Sequence, residues 1–405
     1  MAFKRAGWMV LGNGFYALFQ LLNMVIISKI LGVESLGVFS LALALTAPLM
    51  LFSNFGMRIL WVTNSVSDST FSDFRLMRLC MSLFGAAITC IFLLLYLPSS
   101  DYLSVYILIV VSKLVENNAD IFYSKYHKDG EQRRISVSLI TRGALGVSGM
   151  WVGCFIFESL LSGVFLYAFM WFLSHIFTEQ IRTPFSRQDL RNVREYSKIV
   201  KGVIVGGTPI AIGLLLANLN MNLPRIQLER EYGLETVGIY SALYFFIQTG
   251  TVVITSIGQV ILPKLSELHD SKDNSAHLVL VTKVLAIIVL MAMVAAIIIY
   301  LVGENILAIL FNDTVAKFSS TLSMFLLLSP AQYSVSILNA VVASIKRNSL
   351  VMWCQFLMFI MVALLSIILI SENGVIGAYL SYGISSVVVS IIYIFLYLKV
   401  LRVNN

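Results

Sequence analysis

The ten residues Leu31-Gly32-Val33-Glu34-Ser35-Leu36-Gly37-Val38-Phe39-Ser40 return 201 residues later as Tyr232-Gly233-Leu234-Glu235-Thr236-Val237-Gly238-Ile239-Tyr240-Ser241. Both glycines, the glutamate and the serine are identical. Val33/Leu234, Ser35/Thr236, Leu36/Val237, Val38/Ile239 and Phe39/Tyr240 exchange like for like. A shift of nearly half of a 405-residue chain reads as two copies of one unit joined end to end. A second match holds the register. Glu158-Ser159-Leu160-Leu161-Ser162-Gly163-Val164-Phe165-Leu166 reads against Glu372-Asn373-Gly374-Val375-Ile376-Gly377-Ala378-Tyr379-Leu380, shifted by 214. The 13 residues by which the two shifts differ fit around 265–277 and 303–316.

Hydrophobic residues make up 59% of the chain and charged residues 12%, with a mean hydropathy of +0.89. That charged share is about half of what a soluble protein carries. Apolar runs of about 20 residues recur along the whole length, each long enough to cross a bilayer core. The chain therefore reads as an all-α polytopic membrane protein with no room for a soluble domain, and it lacks the ten-residue alternation of a barrel. Cys80, Cys90, Cys154 and Cys354 lie inside apolar runs at no metal-ligand spacing and read as packing residues. Lys4 and Arg5 precede the first apolar run as in a signal peptide. The run is too long and contains Asn13, Gln20 and Asn23, so it reads as a retained helix. The net charge of +7 bears on topology and on an anionic partner, because a nucleic acid would find no domain to bind. No HExxH, GxSxG or P-loop is present, and Gly12-x-Gly14-x-x-Ala17 is half a dinucleotide fingerprint inside a membrane span. No catalytic residue, metal or cofactor is expected.

Twelve spans are expected, near 6–31, 36–63, 76–97, 102–126, 134–157, 159–181, 199–229, 235–264, 277–302, 315–344, 349–371 and 375–399. They group into an N-terminal six-helix lobe (1–181), a cytoplasmic basic linker (182–198) and a C-terminal six-helix lobe (199–405), as two pseudo-symmetric bundles around a central cavity. Of the 28 Lys and Arg, 21 fall at the termini and on one alternating set of connections. Only Lys29, Arg230 and Lys317 fall on the other set. Positive charge stays inside, so both termini are expected to be cytoplasmic. Six helices per repeat give both halves the same orientation. The linker, with Arg182, Arg187, Arg191, Arg194, Lys198 and Lys201, reads either as an amphipathic piece on anionic headgroups or as a solvated connection.

The four remaining cations, Arg58, Lys113, Arg142 and Arg225, fall within spans. Polar residues there form stripes: Asn13, Tyr16, Gln20 and Asn23; Asn54 and Arg58; Lys113, Glu116, Asn117, Asp120, Ser124 and His127; Asn218, Asn222, Arg225 and Glu229; Gln332, Ser336 and Asn339. A polar stripe in lipid must turn inward, so several such helices enclose a wet cavity. Four cations against Glu116 and Asp120 leave a positive surplus, and arginine grips phosphate oxygens with a bidentate fork. The expected lining of an anion-binding cavity is Arg58, Lys113, Arg142, Arg225, Asn54, Asn218 and Asn222, with Glu116 and Asp120 as candidates for proton or sodium coupling. The bland alternative makes Lys113, Glu116 and a nearby Arg structural ion pairs. His127 and His175 read as interfacial. Pro48, Pro209, Pro224 and Pro330 mark places where helices can bend.

These residues also carry a family resemblance. Gly12-Asn13 through Lys29 and Gly32 to Ser40 running into Ala47-Pro48 share it. So do Asn54-Phe55-Gly56-Met57-Arg58 with Val62-Thr63-Asn64, Ala119-Asp120-Ile121-Phe122-Tyr123, Ser138-Leu139-Ile140-Thr141-Arg142-Gly143, and Pro224-Arg225-Ile226 followed by Tyr232-Gly233 and Gly238-Ile239-Tyr240-Ser241. The chain resembles the polysaccharide repeat-unit flippases, the O-antigen and capsule transporters, of the multidrug/oligosaccharidyl-lipid/polysaccharide exporter superfamily. The resemblance implies a twelve-helix exporter in the bacterial cytoplasmic (inner) membrane. It would move undecaprenyl-pyrophosphate-linked repeat units from the inner to the outer leaflet by alternating access and ion coupling. It implies membrane lipids and a lipid-linked oligosaccharide as partners, with polysaccharide polymerase or assembly machinery beside them. A multidrug antiporter of the same superfamily is the alternative, disfavoured by the arginine surplus. A membrane-embedded polymerase or ligase is a further one, disfavoured by short connections on the far side.

Overall fold

The computed structural model describes residues 2–63, 69–97, 101–183, 193–271, 273–344 and 348–403, and all regular structure among them is helical. In chain order the helices are α1 (Ala2–Leu31), α2 (Val33–Phe52), α3 (Met57–Val62), α4 (Phe71–Tyr96), α5 (Leu103–Lys128), α6 (Gln132–Phe157) and α7 (Leu160–His175). A π-helical turn (Ile176–Gln180) follows α7. Then come α8 (Val193–Asp270), α9 (Asn274–Leu310), α10 (Asp313–Ala316), α11 (Ser319–Ser344) and α12 (Asn348–Val403). Among the described residues, nine stretches are apolar and long enough to span a bilayer. Two of these, within α8 and α12, are each divided by a non-helical glycine, Gly233 and Gly374. The charged α5 adds one more membrane-length helix, consistent with the twelve expected spans. The chain is a multi-pass membrane protein. Large apolar side chains on α4 and α9, such as Phe84, Leu95, Leu290 and Leu301, stand exposed, as lipid-facing residues do.

By contacts the chain divides into two compact units, 1–218 and 219–405. In the first, α6 packs along α1 and α7, and α5 lies against α2, α3, α4 and α7. Ile199 and Val203, from the start of α8, are buried in this unit's core with Met57, Phe74 and Phe122. In the second, α11 packs between α9 and α12, and Tyr333 on α11 donates to the Ile247 carbonyl of α8 at 3.2 Å. Of the linker expected at 182–198, residues 184–192 lie outside the described residues. From Val193 onward the chain is already the first turn of α8.

The repeated stretch has a structural reason. Gly32 adopts φ 88°, ψ 172° and Gly233 adopts φ 79°, ψ −177°. That region is open essentially to glycine alone, and it reverses the chain between two helices with no loop. The second match also centres on a glycine pair. A Cβ on Gly163 would meet Cys154 Sγ at 2.7 Å, and one on Gly377 would meet the Leu369 carbonyl oxygen at 1.9 Å. Gly377 lets the two arms of its hairpin approach backbone to backbone, whereas Gly163 makes room for the Cys154 and Met150 side chains.

Three sequence expectations need correcting. Residues 36–63 do not form one bent helix. The backbone stays helical through Pro48 and breaks at Phe55 (φ 44°) and Gly56 (φ 58°) before α3 resumes. Close packing holds this break: a Cβ on Gly207 of α8 would lie 2.1 Å from the Phe55 carbonyl oxygen. Likewise α8 keeps helical φ/ψ through Pro209 and Pro224 and departs from it only at Gly233. The connection expected at 303–314 is shorter, because α9 continues to Leu310 and Asn312 caps α10.

Gly377→Ala is expected to lower the melting temperature of the detergent-purified protein, through an overpacking cost of about 1–3 kcal/mol. Gly14→Ala, where a Cβ meets nothing within 4 Å, should not lower it, since alanine is the better helix former. Equal melting temperatures for both would contradict the close-approach reading.

Candidate functional site

Helix α5 organises the site in the first unit. Lys113, Glu116, Asn117 and Asp120 recur at three- and four-residue steps and share one face. Asp120 takes two arginines. Arg58 Nη1 of α3 lies 2.9 Å from Oδ1, and Arg78 Nη2 of α4 binds Oδ2. One turn back, Asn117 Nδ2 donates to the Met50 carbonyl at 2.9 Å, and Asn54 Nδ2 donates to Asn117 Oδ1 at 3.2 Å. Arg78 Nη1 reaches the Asn54 carbonyl at 3.3 Å. The break at Phe55–Gly56 thus places Asn54 and Arg58 on α5, and one of the carbonyls beside it accepts a hydrogen bond from Arg78.

Glu116 gathers the other cations. Lys113 Nζ lies at 2.8 Å, Arg142 Nη2 of α6 at 3.8 Å, and the Tyr16 hydroxyl of α1 donates at 3.0 Å. Arg142 is 3% exposed and its guanidinium lies over three rings, at 4.8 Å from Trp171, 5.2 Å from Tyr16 and 5.7 Å from Tyr123. Its Nε and Nη1 have no acceptor among the described residues. The cluster has two layers: Arg78 and Arg142 are buried, whereas Arg58, Lys113, Glu116 and Asp120 are 22–37% exposed at the side chain. Four cations face two carboxylates.

In the second unit Arg225 of α8 lies over Tyr244 at 5.1 Å and Tyr240 at 5.7 Å. It donates to Ser241 Oγ at 3.1 Å, Asn222 Oδ1 at 2.8 Å and the Met221 carbonyl at 3.3 Å. All three acceptors are neutral, and no carboxylate among the described residues forms an ion pair with Arg225. The repeated stretch thus does more than turn the chain, since its Tyr240 and Ser241 hold this arginine. Asn218, on the same stripe, is half-buried.

The sequence reading needs three changes here. Arg58 does have a carboxylate partner, from a different helix, which spacing along its own helix could not reveal. Arg78 was counted with the connections, yet it is fully buried on Asp120. The missed signal is Thr70-Phe71-Ser72-Asp73. Its capping box, with Asp73 N donating to Thr70 Oγ1 and Thr70 N donating to Asp73 Oδ2, starts α4 at Phe71 and carries Arg78 into the helix. His175 is buried against Glu179 rather than interfacial, with Nδ1 at 3.0 Å from Oε2. His127 is exposed at the end of α5, where it lies near enough to Arg58 to feel its charge.

Comparison with known proteins matches this architecture. The family model "Polysaccharide biosynthesis protein" aligns with residues 2–269, through both arginine sites. The chain belongs to the polysaccharide biosynthesis protein family. A second family model, "Lipid II flippase MurJ", aligns with residues 208–404. A capsular polysaccharide biosynthesis protein, CapF of Staphylococcus aureus, is 24% identical across 98% of this chain and 99% of its own. Among solved structures, an inward-facing multidrug resistance MATE transporter of the MOP superfamily superposes with a TM-score of 0.74 at 12% identity, covering 96% of this chain and 95% of that one. A MOP superfamily transporter from Pyrococcus furiosus, described as having a binding pocket of reverse polarity, gives 0.68 at 12% identity, covering 98% and 95%. The fold is that of the MOP transporters. This polysaccharide biosynthesis family is one of transporters and not of enzymes.

Within this family member, Asp120→Asn strands Arg78 in a buried site and is expected to destabilise the protein by about 3–5 kcal/mol. Asp120→Asn combined with Arg78→Met should recover much of that loss in thermal melting. A double variant no more stable than the single one would contradict the pairing.

Proposed function

We propose that the protein is a lipid-linked oligosaccharide flippase that moves polyprenyl-diphosphate-linked repeat units from the cytoplasmic to the outer leaflet of the bacterial inner membrane by alternating access. The observation that carries this reading is Arg225, a buried arginine whose acceptors among the described residues are all neutral. A buried cation without a counter-ion is costly, and an anionic cargo supplies what is missing. A diphosphate brings several charged oxygens that guanidinium groups bind bidentately. Arg142, with Nε and Nη1 lacking acceptors, and the more accessible Arg58 and Lys113 add to the same pull. Asn54, Asn218 and Asn222 would offer hydrogen bonds to phosphate or sugar.

The similarity to a capsular polysaccharide biosynthesis protein and to the lipid II flippase family supports a lipid-linked cargo. The alternating distribution of Lys and Arg supports cytoplasmic termini for a chain of two similarly oriented repeats. On the outer face the cargo would pass to polymerase or assembly machinery. A multidrug antiporter would draw cationic drugs toward a surplus of like charge, which disfavours that reading.

Replacing Arg225 by Met leaves no carboxylate stranded, so the protein should fold and insert. Loss of two or three charge-assisted hydrogen bonds should weaken binding of a polyprenyl diphosphate by roughly 10- to 100-fold. In a strain lacking its own flippase, Arg225→Met and Arg58→Ala should fail to restore surface polysaccharide at normal protein level. Normal polysaccharide with both variants would contradict the electrostatic part of the proposal.

A further inference from the structure

The turn between α5 and α6 carries positive charge that the Asp120 and Glu116 cluster does not use. Lys125, Lys128, Arg133 and Arg134 stand on it, with Asp129 and Glu131 between them. Both acids are taken. Asp129 pairs with Lys125 at 2.9 Å and Glu131 with Arg134 at 3.1 Å. No carboxylate among the described residues forms an ion pair with Arg133. The turn itself is firmly built. Gly130 adopts φ 77°, Glu131 N donates to the Tyr126 carbonyl at 2.7 Å, and Asp129 N donates to the Lys125 carbonyl at 2.9 Å. Its cations therefore project from a fixed backbone.

Aromatic rings fix their heads as well. Arg133 lies over Trp8 of α1, 5.6 Å from the ring centre, and Lys128 lies over Trp61 of α3 at 4.2 Å. The two indoles come from different helices of one unit, since α1 packs along α6 and α3 along α5. Trp8 is further tied to α6, because the Ser136 hydroxyl donates to its carbonyl at 2.5 Å. Lys128 and Arg133 themselves are exposed.

Bare hydrocarbon adjoins the rings. Val10 and Leu11, just beyond Trp8 on α1, are 54% and 52% exposed, and Ile59, two residues before Trp61 on α3, is 49% exposed. Indoles favour the headgroup level of a bilayer, and long basic side chains beside them reach for the phosphates. The surface thus offers cations, then indoles, then apolar side chains. A phospholipid offers phosphate, glycerol ester and acyl chain in the same order. A nucleic acid or an acidic soluble protein would match the charge and leave the indoles and the hydrocarbon unmatched.

We infer that the α5–α6 turn is a binding site for an anionic phospholipid, with Lys128 and Arg133 holding its phosphate and its acyl chains lying along α1 and α3. This rests on the membrane-spanning fold alone and not on the cargo. The pre-placed cation heads lower the ordering cost of binding. A zwitterionic lipid is disfavoured, because its own ammonium group would meet the same cations. A bound lipid would brace this end of α5, which bears Glu116 and Asp120, against α6, which bears Arg142.

The test is lipid retention by the purified full-length protein in native mass spectrometry, from a neutral detergent containing equal phosphatidylglycerol and phosphatidylcholine. Each cation near a charged lipid surface strengthens binding roughly fivefold, so two should give a preference for phosphatidylglycerol of roughly 20-fold. Lys128→Gln combined with Arg133→Gln should abolish that preference. Lys264→Gln combined with Lys399→Gln removes the same charge from exposed positions elsewhere in the chain and should leave the preference intact. Equal retention of the two lipids by the wild type would overturn the site and leave the surface to a protein partner. A preference that survives Lys128→Gln with Arg133→Gln, or one lost equally in the Lys264 and Lys399 control, would overturn it too, the latter showing only an effect of net charge. Arg133→Gln alone, expected to lose roughly fivefold of the preference, decides the matter where the double variant does not fold.

Discussion

A guanidinium cannot stand bare inside a membrane-spanning bundle, and the first unit is built around that constraint. Asp120 holds two of them, Arg58 and Arg78, from two different helices. To bring both within reach, the second span has to break. Phe55 and Gly56 turn left-handed, α3 restarts with Arg58 in its first turn, and the Asn54 carbonyl accepts from Arg78. The glycine at 207 belongs to the same arrangement, because only a residue without a side chain lets α8 close over the break. Ion pair, helix break and close approach therefore form one feature.

The two units handle a buried arginine differently. Arg142 has a distant carboxylate, Glu116 at 3.8 Å, and three aromatic faces. Arg225 has two tyrosine faces and, among the described residues, neutral acceptors. Aromatic rings screen the guanidinium from lipid and attract it by their quadrupoles, yet they supply no full counter-charge. The first unit is thus partly self-compensated, whereas in the second no carboxylate among the described residues forms an ion pair with the buried arginine. That asymmetry is chemical and not topological, since Gly32 and Gly233 turn the chain in the same way.

Much of this was legible in the sequence. The twelve apolar runs and the glycine repeat gave the helices, since hydrophobic length and positive-φ glycines are local properties. Glu116, Asn117 and Asp120 could be placed on one face because helical spacing is also local. What spacing could not show was which residues meet across helices. Arg58 lacked a visible partner because Asp120 lies 62 residues away. Arg78 was hidden by a helix start placed five residues late, although the Thr70–Asp73 cap was readable. His175 looked interfacial because a π turn at a span's end leaves no signature in hydrophobic pattern. The break at Phe55–Gly56 was masked by Pro48, the more conspicuous residue, through which the helix in fact continues.

The central claim, that these buried cations serve to carry a diphosphate-linked lipid across the bilayer, is tested most directly by a leaflet assay. Purified protein is reconstituted into vesicles containing a fluorescent polyprenyl diphosphate carrying a sugar, and a membrane-impermeant reductant is added outside. With the protein present, fluorescence from the inner leaflet should become accessible and fall well below the level of protein-free vesicles. A protected inner-leaflet fraction equal to that of protein-free vesicles, with the protein folded and inserted under an imposed proton gradient of either direction, would contradict the account.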